Sequence, residues 1–253
     1  MVSHSSIIAN VEQTTFIRYH LTPLPRAPER WVGFLPLYHA YGQLYTILMA
    51  CKLQVPVYIM ESFHYERFLG VIQKFRITNL QTAPPILVML SKRPETMNYD
   101  LSSVREIVCG AAPVPLELQK GIAQRFGLKF TLGWGMTELT CTGMSIPGGM
   151  IEGTGSVGYL LPNSEVKLVD DEGREVCDGE RGEIYIKGPN ACLGYWKNPS
   201  ATMDLFDEDG WLKTGDIAIR NGEGLFWIVD RKKVISLSGG GTFDIVGADL
   251  HRN

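Results

Sequence analysis

Apolar positions follow two different rhythms along this chain, and the rhythm changes near residue 150. Before that point, short apolar runs alternate with helically spaced ones. Trp31-Val-Gly-Phe-Leu35 is an unbroken run stopped by Pro36, as expected of a buried strand. Phe68, Ile72 and Phe75 recur at spacings of four and three, which sets them on one face of an amphipathic helix. Ile77 to Thr82 predicts a strand ended by Pro84-Pro85. Val104 to Cys109 predicts another, running into Gly110-Ala-Ala-Pro113, and Leu118, Ile122 and Phe126 mark the helix that follows. Leu128, Phe130 and Leu132 alternate until Gly133 breaks the pattern. This order predicts a layered α/β sheet with ligand-binding loops at the carboxyl ends of its strands.

Beyond about residue 150 the period becomes two. Glu165-Val-Lys-Leu-Val169 and Gly182-Glu-Ile-Tyr-Ile-Lys187 alternate, with Asp170-Asp-Glu-Gly173 as a turn, and Gly224-Leu-Phe-Trp-Ile-Val229 adds a further strand. The expected organisation is an α/β part over 1–150, a β-rich, distorted barrel-like part over 151–229, and a hinge remnant with a divergent tail over 230–253. Three adjacent glycines and weak periodicity predict poor order from Ser236 to Asn253.

Composition narrows the function classes. The chain has 253 residues, 45% of them hydrophobic and 20% charged, and a net charge of −3. That charge gives no electrostatic case for nucleic acid, so phosphate binding would have to come from local geometry. Five scattered cysteines without CxxC spacing argue against a zinc or redox pair and fit thiols acting as small buried apolar groups. No apolar run reaches the roughly 18–20 residues of a transmembrane helix. Ser3-His-Ser-Ser6 does not read as a secretion signal, so the expected location is cytoplasmic.

Three segments carry candidate chemistry. In Leu132-Gly-Trp-Gly-Met-Thr-Glu138, glycines let the backbone pass close to a ligand, and a hydroxyl and a carboxylate follow, a pair suited to a phosphate and its Mg²⁺. Alone, the segment reads equally as a glycine turn before a helix capped by Thr137. Trp211-Leu-Lys-Thr-Gly-Asp216 offers an ionised carboxylate able to accept from both hydroxyls of a ribose, or an Asp in a surface turn. Val229-Asp-Arg-Lys-Lys233 is a charged group after a strand, alone a solvated face.

In order, these segments resemble the adenylate-forming (AMP-binding) superfamily, which includes acyl-CoA synthetases, 4-coumarate–CoA ligases and peptide-synthetase adenylation domains. The resemblance also takes in Leu35-Pro-Leu-Tyr-His-Ala-Tyr-Gly42, Gly110-Ala-Ala-Pro113, Gly155-Ser-Val-Gly158, Gly182-Glu-Ile184, Gly194-Tyr-Trp196, Thr214-Gly-Asp216 and Asp230-Arg231. It implies part of the large domain of an enzyme that uses ATP, Mg²⁺ and CoA to turn a fatty or aryl acid into an acyl-AMP and then an acyl-CoA. By the same resemblance Thr137 would bond the α-phosphate, Glu138 would bind Mg²⁺, and Asp216 with Arg231 would hold the ribose. Gly110, Ala111, Ala112, Leu132, Gly133 and Trp134 would line the adenine and acyl pocket, with Gly135 at its substrate side. His39 would close over the carboxylate, Tyr41 would shape the acyl tunnel, and Lys233 would sit on the hinge before the C-terminal domain. Gly194, like Gly155 and Gly158, reads as a turn former.

The family's phosphate loop and its C-terminal domain with the activating lysine have no counterpart here. A chain truncated at both ends and impaired in activity is therefore expected, and an intact form could be peroxisomal. A non-catalytic nucleotide-binding remnant and a peptide-synthetase-type fragment stand as alternatives. A dehydrogenase is disfavoured, since no GxGxxG follows a strand with an acidic residue about 20 positions on.

Overall fold

The computed structural model describes residues 1–21, 27–110, 112–150 and 153–232. The predicted tail at 236–253 lies outside them. Two compact units emerge, one from the described residues of 27–130 and one from those of 1–26 together with 131–232. The sequence pattern puts its change of texture at about 150, whereas this division falls at 130/131.

The chain opens with α1 (His4–Thr15), capped by the Ser3 side chain accepting from the Ser6 N–H, and continues through a π-helical turn at Phe16–His20. The sequence pattern does not announce this helix, because its buried positions hold Ser6, Asn10, Gln13, Thr14 and Thr15 beside the apolar Val11.

In the unit of 27–130, β1 (Trp31–Gly33) is followed by α2 (Ala40–Gly42), a π-helical stretch Gln43–Met49, and α3 (Ala50–Leu53). Next come β2 (Val57–Ile59), α4 (Tyr65–Phe75), β3 (Asn79–Thr82), α5 (Pro84–Lys92), β4 (Glu106–Cys109) and α6 (Leu116–Phe126). The strands pair in parallel in the order β2-β1-β3-β4. The predicted stripe on α4 is present, with Phe68 and Ile72 fully buried, and the helix stops where Arg76 turns left-handed. Pro84 ends β3 as expected and then serves as the first residue of α5, where its missing N–H is no loss.

The other unit carries β5 (Lys129–Gly135), β6 (Thr142–Ser145) and β7 (Tyr159–Leu160), which pair antiparallel. A second antiparallel sheet follows from β8 (Glu165–Val169), β9 (Arg181–Lys187), β10 (Leu212–Arg220) and β11 (Phe226–Arg231), in the order β11-β10-β9-β8, with α7 (Pro199–Leu205) between β9 and β10. The two sheets meet where Val157 N–H donates to the Phe226 carbonyl and Phe226 N–H to Gly158, burying Phe226.

Two strands differ from the sequence reading. β5 does not break at Gly133 but runs on to Gly135, because Gly133 and Trp134 pair with Ser145 and Met144. β10, the longest strand of this sheet with β9 close behind, went unpredicted because its buried slots hold Leu212, Thr214, Asp216 and Ala218, two of them polar. Nor are all thiols buried. Cys51 and Cys177 are exposed, while burial pushes the Cys109 thiol up to about 12. No helix among the described residues is long and apolar enough to cross a membrane.

Asn10 fastens α1 to β6. Its Nδ2 donates to the Thr142 carbonyl at 2.7 Å and its Oδ1 accepts from the Thr142 N–H at 3.1 Å, with no solvent exposure. Asn10→Ala should therefore cost about 1–3 kcal/mol in chemical denaturation. Asn10→Asp, which turns an acceptor toward that carbonyl, should cost more at neutral pH and recover part of the loss in acid, where the carboxyl can donate.

Candidate functional site

The turn after β5 is built by close approach and local strain. A Cβ on Gly135 would lie 1.8 Å from the Cys141 carbonyl oxygen, so no side chain fits there. Thr137–Leu139 forms one 3₁₀ turn, and Thr140 follows at φ 68° and ψ −50°. The Cys141 N–H closes on the Leu139 carbonyl at 2.8 Å, which makes Thr140 the centre of a γ-turn of the rare, strained hand. Buried Asn190 holds that geometry. Thr140 Oγ1 donates to its carbonyl at 2.7 Å, and its Nδ2 donates to the carbonyls of Leu139 and Thr142 at 3.2 and 3.1 Å. Thr137 is left exposed and Glu138 half-buried at the tip of the turn.

The second segment sits on a β-bulge. Pairing of β10 with β9 shifts register between Lys213 and Ile217, so Thr214-Gly-Asp216 swells out of the ladder. Side chains close its freed backbone groups. Gly215 N–H donates to Glu183 Oε1 at 3.0 Å, Asp216 N–H to Thr214 Oγ1 at 3.1 Å, and Thr214 Oγ1 to the Ile184 carbonyl at 2.9 Å. Lys232 N–H reaches the Gly215 carbonyl at 2.7 Å, and the Lys232 ammonium lies 3.3 Å from Glu183 Oε2 and 2.8 Å from Asp171.

The two segments meet. Trp134 Nε1 donates to Asp216 Oδ2 at 2.9 Å, and Arg231 Nε stands 3.2 Å from Asp216 Oδ1 across the β10–β11 ladder. Burial raises the Asp216 pKa above 3.8; the indole hydrogen bond and the Arg231 charge pull it back, and Glu183 pushes the same way as burial. Leu132 and Trp134 are buried, Gly133 is half-buried and Gly135 exposed.

Glu138 is gripped from a third side. Tyr195 Oη donates to Glu138 Oε1 at 2.5 Å, and burial, followed by that carboxylate, raises the tyrosine pKa. Glu138 Oε2 makes no hydrogen bond among the described residues. Those residues hold no cluster of three His, Cys, Asp or Glu side chains. One carboxylate with an open oxygen beside a hydroxyl fits Mg²⁺, which keeps several waters and takes the rest of its shell from substrate phosphates. Glu183, Lys232 and Tyr195 were not singled out as candidate residues, although the Gly182-Glu-Ile184, Val229-Asp-Arg-Lys-Lys233 and Gly194-Tyr-Trp196 segments contain all three.

Other candidates belong to the unit of 27–130. His39 caps α2, its Nδ1 accepting from the Tyr41 N–H at 3.1 Å, and burial lowers its pKa, so the neutral ring is the bonded form. Tyr41 is buried and its hydroxyl donates to the Val108 carbonyl at 2.9 Å. Gly110 is half-buried and Ala112 exposed. Ala111 and Lys233 lie outside the described residues.

A profile of the AMP-binding enzyme family matches residues 1–196. Among curated relatives, "Probable 4-coumarate--CoA ligase 2" of Dictyostelium discoideum is 39% identical over 235 residues, 92% of this chain and 42% of that protein. The "Long-chain-fatty-acid--CoA ligase" of Bacillus subtilis is 32% identical over 95% of this chain and 42% of its own length. Among solved structures, ATP-bound MatB from Rhodopseudomonas palustris superposes with a TM-score of 0.82 at 26% identity, over 92% of this chain and 45% of that one. O-succinylbenzoate coenzyme A synthetase of Bacillus subtilis in complex with AMP gives 0.76 at 27% identity, over 92% and 46%. The chain thus spans less than half the length of these relatives.

The Trp134–Asp216 bond has a measurable sign. A carboxyl whose folded pKa is raised contributes its full stability below the unfolded pKa and loses it as pH rises through the folded one. Trp134→Phe removes a force that lowers the Asp216 pKa. Unfolding free energy should then fall more steeply with rising pH above about 4, reaching a loss of about 1.5–3 kcal/mol at pH 7. Asp216→Asn should flatten that slope in both backgrounds, as read by urea denaturation at several pH values.

Proposed function

We propose, since the chain belongs to the AMP-binding enzyme family, that it forms the nucleotide-binding part of an ATP-dependent acid–CoA ligase. One observation supports this reading above the others. The Trp134–Asp216 hydrogen bond joins the Asp216 carboxylate, which we assign to the ribose, to the strand that leads into the Thr137–Glu138 turn.

Lone-pair arithmetic supports the role of Asp216. An ionised carboxylate offers about four acceptor positions. Trp134 uses one on Oδ2 and Arg231 one on Oδ1, which leaves one on each oxygen for the two ribose hydroxyls. Thr137, exposed at the tip of its turn, would donate its hydroxyl to the α-phosphate. Glu138 would hold Mg²⁺ through Oε2. When bound, that ion supplies positive charge against the phosphates and so reduces the repulsion an incoming carboxylate meets. The strained turn at Thr140, clamped by Asn190, keeps Thr137 and Glu138 from rotating away, so their orientation is in place before substrate arrives.

The reaction has two balanced steps. A carboxylate oxygen of the acid bonds to the α-phosphorus as the bond to the bridging oxygen breaks and pyrophosphate leaves. The CoA thiolate then bonds to the acyl carbon and AMP leaves with the electron pair of the acyl–oxygen bond. A fatty or aryl acid is the substrate class that the names of the relatives favour, with His39 and Tyr41 in the acid-binding part and the protein in the cytoplasm.

AMP titrated into the purified chain by calorimetry tests this reading without requiring turnover. Asp216→Asn should weaken AMP binding about ten- to hundred-fold, the range of a lost charged hydrogen-bond pair. An analogue lacking both ribose hydroxyls should bind the unaltered chain as weakly, and Asp216→Asn should weaken it little further. Equal AMP affinity with and without the Asp216 carboxylate would sink the proposal.

A further inference from the structure

The Gly194-Tyr-Trp196 segment has no function in the reading above beyond a turn, yet its placement is tightly constrained. Gly194 sits at φ 115°, and a Cβ there would lie 2.3 Å from Thr202 Cγ2, so neither the backbone angle nor the space admits a side chain. Thr202 Oγ1 accepts from the Tyr195 N–H and donates to the Asn198 carbonyl, both at 2.9 Å, which moors the loop to the first turn of α7. On the other flank the Cys192 N–H donates to the Glu138 carbonyl at 2.7 Å. Trp196 is 72% exposed, whereas Tyr195, at 38%, lies along the surface and reaches its 2.5 Å bond with Glu138 Oε1. One loop therefore holds Glu138 by main chain and side chain together.

We infer that Tyr195 is a positioning residue for Glu138: it fixes Oε1 so that Oε2 is presented to a divalent cation that accompanies the nucleotide phosphates. This rests on the reading of Glu138 as the Mg²⁺ ligand. A glutamate has three side-chain torsions, and a tip left free would have to be ordered each time the cation arrives. The donor is also of a telling kind. An arginine or lysine in the same place would order the carboxylate but cancel its charge and compete with the cation. A phenol orders it and leaves the full negative charge available. Gly194 and Thr202 act one step further out, by aiming the phenol.

The test separates the latch from the ligand it serves. ATP affinity is measured by calorimetry on the full chain with MgCl2 and with EDTA, and the ratio of the two dissociation constants gives the Mg²⁺ increment. Tyr195→Phe should cut that increment about ten- to hundred-fold, the usual effect of losing a hydrogen bond to a metal-binding side chain, and leave affinity in EDTA unchanged. Glu138→Gln should abolish the increment, and Tyr195→Phe should then add nothing. Absence of an increment in the unaltered chain, or its survival in Glu138→Gln, refutes the role of Glu138 and this inference with it. An intact increment in Tyr195→Phe alone refutes the latch and spares the Glu138 assignment. Should Tyr195→Phe fail to fold, chain labelled with 3-fluorotyrosine decides. The Tyr195 fluorine resonance should move on adding MgCl2 to the ATP complex, and an unmoved line overturns the latch.

Discussion

A single hydrogen bond between side chains 82 residues apart, from the Trp134 indole to the Asp216 carboxylate, is the constraint on which the candidate site depends. It joins the end of β5 to the bulge of β10, two strands of different sheets. Without it the carboxylate would be a buried acid near Glu183, with one ion pair on a half-exposed arginine. Burial favours the protonated form of Asp216, and the indole is the buried group that favours the charged one. Thr214, Gly215, Glu183 and Lys232 serve the same end by satisfying the backbone that the bulge sets free.

The two acids at the site share a design. Each has one oxygen held by a neutral aromatic donor, the indole for Asp216 and a phenol for Glu138. Such donors place a carboxylate without adding a counter-charge of their own; at Asp216 that charge comes separately, from Arg231 on the other oxygen. Stiffness comes from elsewhere. The γ-turn at Thr140 stays in its costly conformation because Asn190, wholly buried, bonds to both sides of it.

Much of the fold could be read from the residues, for stated reasons. Helix α4 showed in advance because its buried face carries Tyr65, Phe68, Leu69 and Ile72, and helical period is a strong signal. Strand β10 stayed hidden because the period of two was present but the inward positions went to threonine and aspartate. Helix α1 stayed hidden for a similar reason, its inner face being mostly amides and hydroxyls. At the site, the segments holding Thr137, Glu138 and Asp216 were legible as motifs. The pairing of Trp134 with Asp216 and of Tyr195 with Glu138 was not, because partners so distant along the chain are brought together only by the arrangement of strands. His39 and Tyr41 were legible as residues, but their bonds as a helix cap and a strand clasp were not.

The bulge in β10 also sets a rule for chain length. Asp216 lies between two ladders, opposite Arg231 on one side and within the register shift against β9 on the other. Deleting or inserting one residue between Lys213 and Ile217 would invert which side chains face inward on the remainder of the strand, because side chains alternate sides at every step. The hairpin end at Asn221–Gly224 is under no such rule. Related sequences should therefore vary freely in length at that loop while keeping a constant count through the bulge, whatever acid they act upon.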